Sequence, residues 1–143
     1  MQERADITNS SLVTEVFGGW PSFHDAEVLC LRFEASGDGG PELFADIYAF
    51  ETTKDIAPSG HHVLKNQVVV SFRFAGVDKV EMYGFNQQNA IMSLKIANVW
   101  TRQTEGVCFE VAFEGSFGVS ARFLCREVAV EGVRPRSPEV GGL

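Results

Sequence analysis

The chain has 143 residues, 45% of them hydrophobic and 22% charged, and its formal net charge is −7. This length and balance are typical of one globular domain that buries a core without disulfides or a structural metal. The negative charge repels phosphate groups, which argues against nucleic acid and anionic lipid as partners.

Apolar runs such as 68–70 and 128–130 are far too short to cross a bilayer. The residues after the first methionine are polar, whereas a secretory signal needs an apolar run, so we expect a cytoplasmic protein without a membrane segment. Three widely separated cysteines, Cys30, Cys108 and Cys125, each lie in an apolar stretch. This placement predicts three buried, reduced thiols.

A short helix is the first predicted element. Polar residues at 9–11 can cap its start, and apolar residues follow at helical spacing over 12–17. Gly18 and Gly19 end it, because glycine takes the left-handed conformation that closes a helix. In the connector at 20–25 we expect both aromatic side chains to pack under a sheet.

From Ala26 the hydrophobic period changes to two, which predicts a strand. The residues expected to face inward on it are Leu29, Leu31 and Phe33. A glycine-rich turn at 36–41 and a second strand at 42–51 complete a hairpin with a long loop.

After a loop at 54–62, the strongest strand signal covers 66–74. Its predicted inward face consists of Val68, Val70, Phe72 and Phe74. A short strand at 79–85 and an extended segment at 91–100 follow.

The last third alternates over 107–114 and 119–125, and 127–133 continues that strand or adds another. Short links between strands favour antiparallel pairing, since parallel pairs need long crossovers. We therefore predict an α+β, mostly β fold: a short N-terminal helix and a curved or partly closed antiparallel meander of seven or eight strands. Residues 1–133 form the single domain, and 134–143 form a flexible tail.

Two clusters that contain histidine, His24-Asp25 and His61-His62, are the candidates for chemistry. His24 and Asp25 could orient a general base or, with His61 and His62, bind a metal, which would make the chain a metal-binding or hydrolytic module. The recognised metal spacings are absent, however, and neighbouring residues on an extended chain point to opposite faces. The alternative is that His24 bonds a carbonyl while Asp25 or Ser22 accepts backbone hydrogens.

No phosphate-binding loop or nucleophile elbow is present, so we assign no catalytic residue, cofactor or metal ligand. The polar segment 85–89 has two open interpretations. Its amides can satisfy the backbone at a turn, or they can offer donors and acceptors to a partner.

The stretch from Phe17 to Val28, followed by the strings 46–50, 66–74 and 80–86, resembles the immunity protein 50 family of bacteria. The resemblance implies a small cytoplasmic α+β protein encoded beside a polymorphic toxin. It further implies that the chain binds and neutralises that toxin without catalysis.

Charge suggests where such a toxin would bind. Residues 1–71 carry 11 acidic and 4 basic side chains, net −7, whereas 72–143 carry 8 of each. Opposite charge speeds association, so we expect a basic toxin. The residues expected at the binding face are Trp20, Asp25, Glu27, Asp46, Glu51 and Asp55, with Trp20 as an anchor. An exposed sheet edge could also pair two copies in a homodimer.

Overall fold

The computed structural model describes residues 4–37, 40–99 and 108–136. The elements in this part of the chain are α1 (Ser11–Phe17), β1 (Glu27–Gly37), β2 (Gly40–Ile56), β3 (His62–Ala75), β4 (Asp78–Tyr83), β5 (Ala90–Asn98), β6 (Phe109–Phe117), β7 (Ser120–Cys125) and β8 (Glu127–Pro135). All pairs between these strands are antiparallel. The predicted class, mostly β with one N-terminal helix, is confirmed.

Helix α1 ends where the glycine pair predicts. Gly18 has a left-handed φ of 78°, and its N–H donates a hydrogen bond of 2.8 Å to the Thr14 carbonyl. Val13 points from the helix toward the sheet and is fully buried, and the helix packs against β8 and β3. Val13, together with the partly buried Val16 and Phe17, and the glycine cap thus fix this short element against the sheet.

The eight strands form one sheet in the order β4-β7-β6-β5-β1-β2-β3-β8. Two three-stranded meanders, β1–β2–β3 and β5–β6–β7, account for most of it. They join side by side through β1 and β5, where Glu27 pairs with Ala90.

The two ends of the sheet meet at a pair of bends. Only Gly76 and Val77 separate β3 from β4, and only Arg126 separates β7 from β8. The Arg126 N–H donates to the Ala75 carbonyl at 2.8 Å, which ties the bends together. A β-carbon on Gly76, whose φ is +69°, would lie 2.8 Å from the Arg126 side chain, so this position requires glycine. The sheet therefore curves back on itself.

The core fills the inside of this curve. The predicted inward residues of β3 are all buried: Val68, Val70, Phe72 and Phe74. The Phe74 ring lies 5.1 Å from the ring of Phe123 and 6.4 Å from that of Phe113, so aromatic packing links the two meanders. Full burial of each such side chain stabilises the fold by about 1.5–3 kcal/mol.

The inward face predicted for β1 is partly wrong. Leu31 packs against the core, but Leu29 is 37% exposed and Phe33 50% exposed. A register shift between Val28 and Cys30 breaks the alternation at Leu29, so Val28 occupies the core instead. Phe33 pairs with buried Leu43 but lies near the end of the hairpin.

The prediction of three buried thiols is wrong for Cys30, which lies directly after the same register shift. Cys30 pairs with Asp46 and is exposed, whereas Cys108 is half-buried and Cys125 is buried. Burial, with a smaller contribution from Cys108, raises the pKa of Cys125 to about 12.

Several boundaries also differ from those predicted. Strand β2 continues to Ile56 and β3 begins at His62, which shortens the predicted loop at 54–62. Strand β8 reaches Pro135 and so extends beyond the predicted domain end at 133. Of the predicted tail at 134–143, residues 137–143 lie outside the described residues.

Candidate functional site

The connector between α1 and β1 lies on the aromatic core. The Trp20 ring packs edge-on against Phe23 at 5.7 Å and against Phe72 at 6.1 Å. Phe23 is buried and Trp20 is half-buried, which confirms that both tuck under the sheet. Trp20 is therefore a fixed side chain with part of its surface available to a partner.

A tight turn follows at Phe23–Asp25. Both Phe23 and Asp25 have left-handed φ angles, 64° and 65°, which cost energy in residues other than glycine. The Asp25 N–H donates to the Ile91 carbonyl at 2.9 Å, so β5 holds the turn in place. The turn directs His24 and Asp25 outward, and both are exposed.

His24 makes the contacts expected of a structural histidine. Its Nδ1 lies 3.1 Å from the Met92 carbonyl, and its backbone N–H donates to Ser22 Oγ at 3.3 Å. This confirms the predicted carbonyl bond. Its Nε2 also lies 3.4 Å from Asp25 Oδ2, because the left-handed turn brings the two neighbours together.

The end of α1 and the connector that follows it form one wall of a cleft of about 320 Å³, and β2 forms the other. We call it the Trp20–Glu51 cleft. Its lining consists of Phe17, Gly19, Trp20, Pro21, Ser22, Phe23, His24, Ala49, Phe50, Glu51 and Thr52. Most of these side chains are apolar or aromatic. Glu51 is the sole carboxylate among them, and no lysine or arginine belongs to this set.

Glu51 is held in position at the cleft. Its Oε2 accepts a hydrogen bond of 2.5 Å from Asn66 Nδ2 on β3. Ala49 and Glu51 are two residues apart on β2, so the alternation of the strand places both side chains on the same face, where they line the cleft. Trp20 and Glu51, two of the predicted binding residues, therefore meet here, beside His24.

The other predicted acidic residues are dispersed. Asp25 lies at the tip of the turn, and Asp55 is exposed near the end of β2. Glu27 Oε2 accepts the Asn89 N–H at 3.2 Å between β1 and β5. Asp46 Oδ1 accepts the Ser71 hydroxyl at 2.7 Å on the outer side of the sheet.

Asp46 belongs to a charged surface that we call the arginine face, the outer side of β2, β3 and β8. Arg73 lies 2.8 Å from Glu42, 3.5 Å from Glu131 and 3.8 Å from Glu127. Arg134 lies 3.8 Å from Asp46 and thereby neutralises it. This network was not predicted from the sequence, because strand register decides which charged residues lie next to one another.

Aromatic side chains border the arginine face. The Arg32 guanidinium lies 4.1 Å from the Phe44 ring centre, and Arg136 lies 4.5 Å from that of Tyr48. Burial raises the pKa of Tyr48, although the charge of Arg136 opposes this. Cation–aromatic stacking is thus a recurrent contact on this sheet.

A second cleft lies on the outer side of β4–β7. It has a volume of about 490 Å³ and includes Tyr83, Met92, Glu114 and Arg122 in its lining. Exposed apolar side chains occur on β4, on β5 and around the neighbouring turns: Val80, Tyr83, Phe85, Met92 and Phe117. Hydrogen bonds from Ser93 and Lys95 lower the pKa of Glu114. Its lining comes from four separate strands, so no local pattern in the sequence predicts this surface.

The polar segment 85–89 has a structural role at its end. Asn89 is buried, and its Oδ1 accepts the N–H groups of Asn86 at 2.8 Å and Val119 at 3.1 Å. Asn89 therefore satisfies the backbone of two turns. Gln87 and Gln88 are exposed.

The described residues contain no group of three or more histidine, cysteine or acidic side chains that could hold a metal ion. In the same part of the chain, His24 and Asp25 do not converge with His61 and His62 on such a site. No helix among the described elements has the length and apolar character needed to cross a membrane.

Comparison with known proteins gives one family. The family model described as Immunity protein 50 matches residues 9–136, which include every helix and strand of the structure. No curated protein and no solved structure gives a significant match to the chain.

Proposed function

Because the chain belongs to the immunity protein 50 family, we propose that it binds a bacterial toxin and blocks it by contact, without catalysis of its own. The observation that carries this proposal is the extent of the match. It covers 9–136 and thus the whole folded sheet rather than one motif. We further propose that this binding takes place in the cytoplasm.

The fold suits an inhibitor that binds as a preformed surface. One continuous core links α1 with all the strands except the edge strand β4, and Met82 of β4 packs against that core. A rigid partner loses little conformational entropy on binding, which favours affinity. The net charge of −7 additionally favours a basic toxin and a fast association.

A metal-dependent or hydrolytic activity at His24, Asp25, His61 and His62 has less support. Such a site needs at least three converging groups. Within the described chain, the one contact between these residues is that of His24 with Asp25. We therefore propose the binding function alone.

The experiment is co-expression of the tagged chain with the toxin domain encoded beside its gene. We expect the two proteins to purify together at a one-to-one ratio, and the toxin to lose its activity in proportion to the bound fraction. A toxin domain from an unrelated gene cluster serves as the control for charge-driven capture.

Two results would refute the proposal. One is an active toxin in the presence of excess chain. The other is equal capture of the unrelated toxin.

Light scattering over a range of concentrations measures the mass of the chain alone and separately tests the predicted homodimer.

A further inference from the structure

We propose that the Trp20–Glu51 cleft receives a single lysine or arginine side chain of the toxin. This inference rests on the proposed toxin-binding function and specifies which chemical group of the toxin the cleft recognises.

The walls of the cleft suit the aliphatic part of such a side chain. Phe17, Trp20, Pro21 and Phe50 supply apolar and aromatic surface around a volume of about 320 Å³. Lysine and arginine bury their hydrocarbon stems against surfaces of this kind while the charged group reaches a polar atom. The cleft therefore offers the apolar contact surface that the stem of a lysine or arginine side chain needs.

Glu51 supplies the charge that such a side chain needs. It is half-buried, it is the sole carboxylate in the lining, and its Oε2 is oriented by Asn66 at 2.5 Å. A carboxylate accepts several hydrogen bonds, so Glu51 can bind a cation while it keeps the Asn66 bond. An apolar guest would instead remove water from this carboxylate without replacing the lost hydrogen bonds.

The chain itself shows that its aromatic surface binds guanidinium groups. Arg32 stacks on Phe44 and Arg136 on Tyr48, at 4.1 and 4.5 Å. Arg4 lies 6.0 Å from the Trp20 ring centre, and Asp6 neutralises it at 2.9 Å. No described lysine or arginine belongs to the cleft lining. Lys65 lies opposite Glu51 on β3, but it forms no ion pair with Glu51 among the described residues, so the cation for Glu51 is expected from the partner.

The Glu51→Gln variant tests the proposal because it removes the charge and keeps an oxygen for Asn66. Glu110→Gln is the matched control, since Glu110 lies on β6 outside the cleft. Titration calorimetry with the toxin domain encoded beside the gene measures both affinities. We expect Glu51→Gln to raise Kd at least about tenfold, because a desolvated charge pair is lost. We expect Glu110→Gln to change Kd less than about threefold, because an exposed pair contributes little.

A double-mutant cycle identifies the toxin residue. Each lysine and arginine of the toxin surface is replaced by alanine and titrated against the wild-type chain and the Glu51→Gln variant. We expect one toxin residue whose replacement weakens binding to the wild type at least about fivefold more than binding to the variant.

The outcomes separate the two proposals. If the wild-type chain does not bind the toxin, the proposed function fails. If it binds, and Glu51→Gln binds equally tightly or no basic toxin residue couples to Glu51, the cleft proposal alone is overturned. Melting temperatures within about 2 °C of the wild type show that both variants are folded.

Discussion

Carboxylates on the arginine face and in the Trp20–Glu51 cleft have opposite surroundings. On the arginine face, Glu42 and Asp46 lie within 4 Å of Arg73 and Arg134 of the same chain. In the cleft, Glu51 lies among apolar walls and is hydrogen-bonded by a neutral amide. A carboxylate that its own chain neutralises has less charge to offer a partner, which is why we propose the cleft and not the arginine face as the toxin-binding surface.

The largest expected effect comes from the aromatic core beneath the cleft. Replacing Phe72, which is fully buried against Trp20, with alanine should lower the free energy of unfolding by about 3–5 kcal/mol. Chemical denaturation measures this loss. Phe117→Ala is the control, because this side chain is 57% exposed and surface changes fall within about 0.5 kcal/mol. Equal losses in the two variants would contradict the arrangement of the core.

The arginine face should contribute to stability rather than to binding. Arg73→Met leaves Glu42 without its closest cation at a half-buried position. We expect the free energy of unfolding to fall by about 2 kcal/mol, less than for a fully buried pair because both groups are partly exposed.

Toxin titration of the Arg73→Met variant, alongside its denaturation, tests whether the arginine face takes part in binding. We expect the toxin Kd to change less than about threefold, since the two regions are independent. A large loss of affinity with unchanged stability would assign the toxin to the arginine face instead of the cleft.

Asp46 tests the same comparison with a smaller change. Asp46→Asn removes the charge opposite Arg134 but keeps an acceptor for Ser71. We expect less than about 1 kcal/mol of destabilisation, because the Arg134 pair is largely exposed. In a toxin-protection assay this variant should protect fully, whereas Glu51→Lys should not. Equal protection by both would remove the predicted role of charge at Glu51.

A pH-dependent effect is expected from the buried thiol. Burial raises the pKa of Cys125 to about 12, so this thiol stays protonated when folded, while in the unfolded chain it ionises near its ordinary value of 9.0. Its contribution to stability is therefore complete below pH 9 and is lost as the pH rises toward 12. Denaturation at pH 8 and 10 should show a smaller fall in stability for Cys125→Ala than for the wild type.

Thiol labelling at pH 8 gives a direct comparison of the two sites. Cys30, exposed on the outer side of β1, should react rapidly, whereas Cys125 should react only through unfolding. Equal rates would contradict the exposure of Cys30 that follows from the register shift in β1.

Much of the fold was predicted from local patterns in the sequence. Alternation over 66–74 is regular, so the sequence was sufficient to assign the inner face of β3. Where a register shift interrupts the alternation, as at Leu29, the pattern assigns the wrong face. The sequence also does not show that β8 pairs with β3 while β4 pairs with β7. These pairings depend on contacts between residues far apart in the chain.

The candidate site was predictable only in part, because local patterns identify single residues but not which of them come together. Trp20 stands out as an aromatic residue in a connector, and Glu51 as one of many acids in the first half of the chain. That these two meet while Asp46 is neutralised by Arg134 follows from strand register and the Phe23–Asp25 turn. The outer cleft at Tyr83 and Met92 likewise forms only when separate strands come together.

Hydrogen–deuterium exchange of the chain with and without its toxin is the most direct test of the central claim. His24 is an exposed residue whose backbone N–H donates to Ser22 Oγ at 3.3 Å, outside any strand ladder, so this amide should exchange rapidly in the free chain. We predict that the toxin slows exchange over 20–25 and 50–52 and leaves 42–46 unchanged. Protection of 42–46 without protection of 20–25 would contradict the assignment of the Trp20–Glu51 cleft as the toxin-binding site.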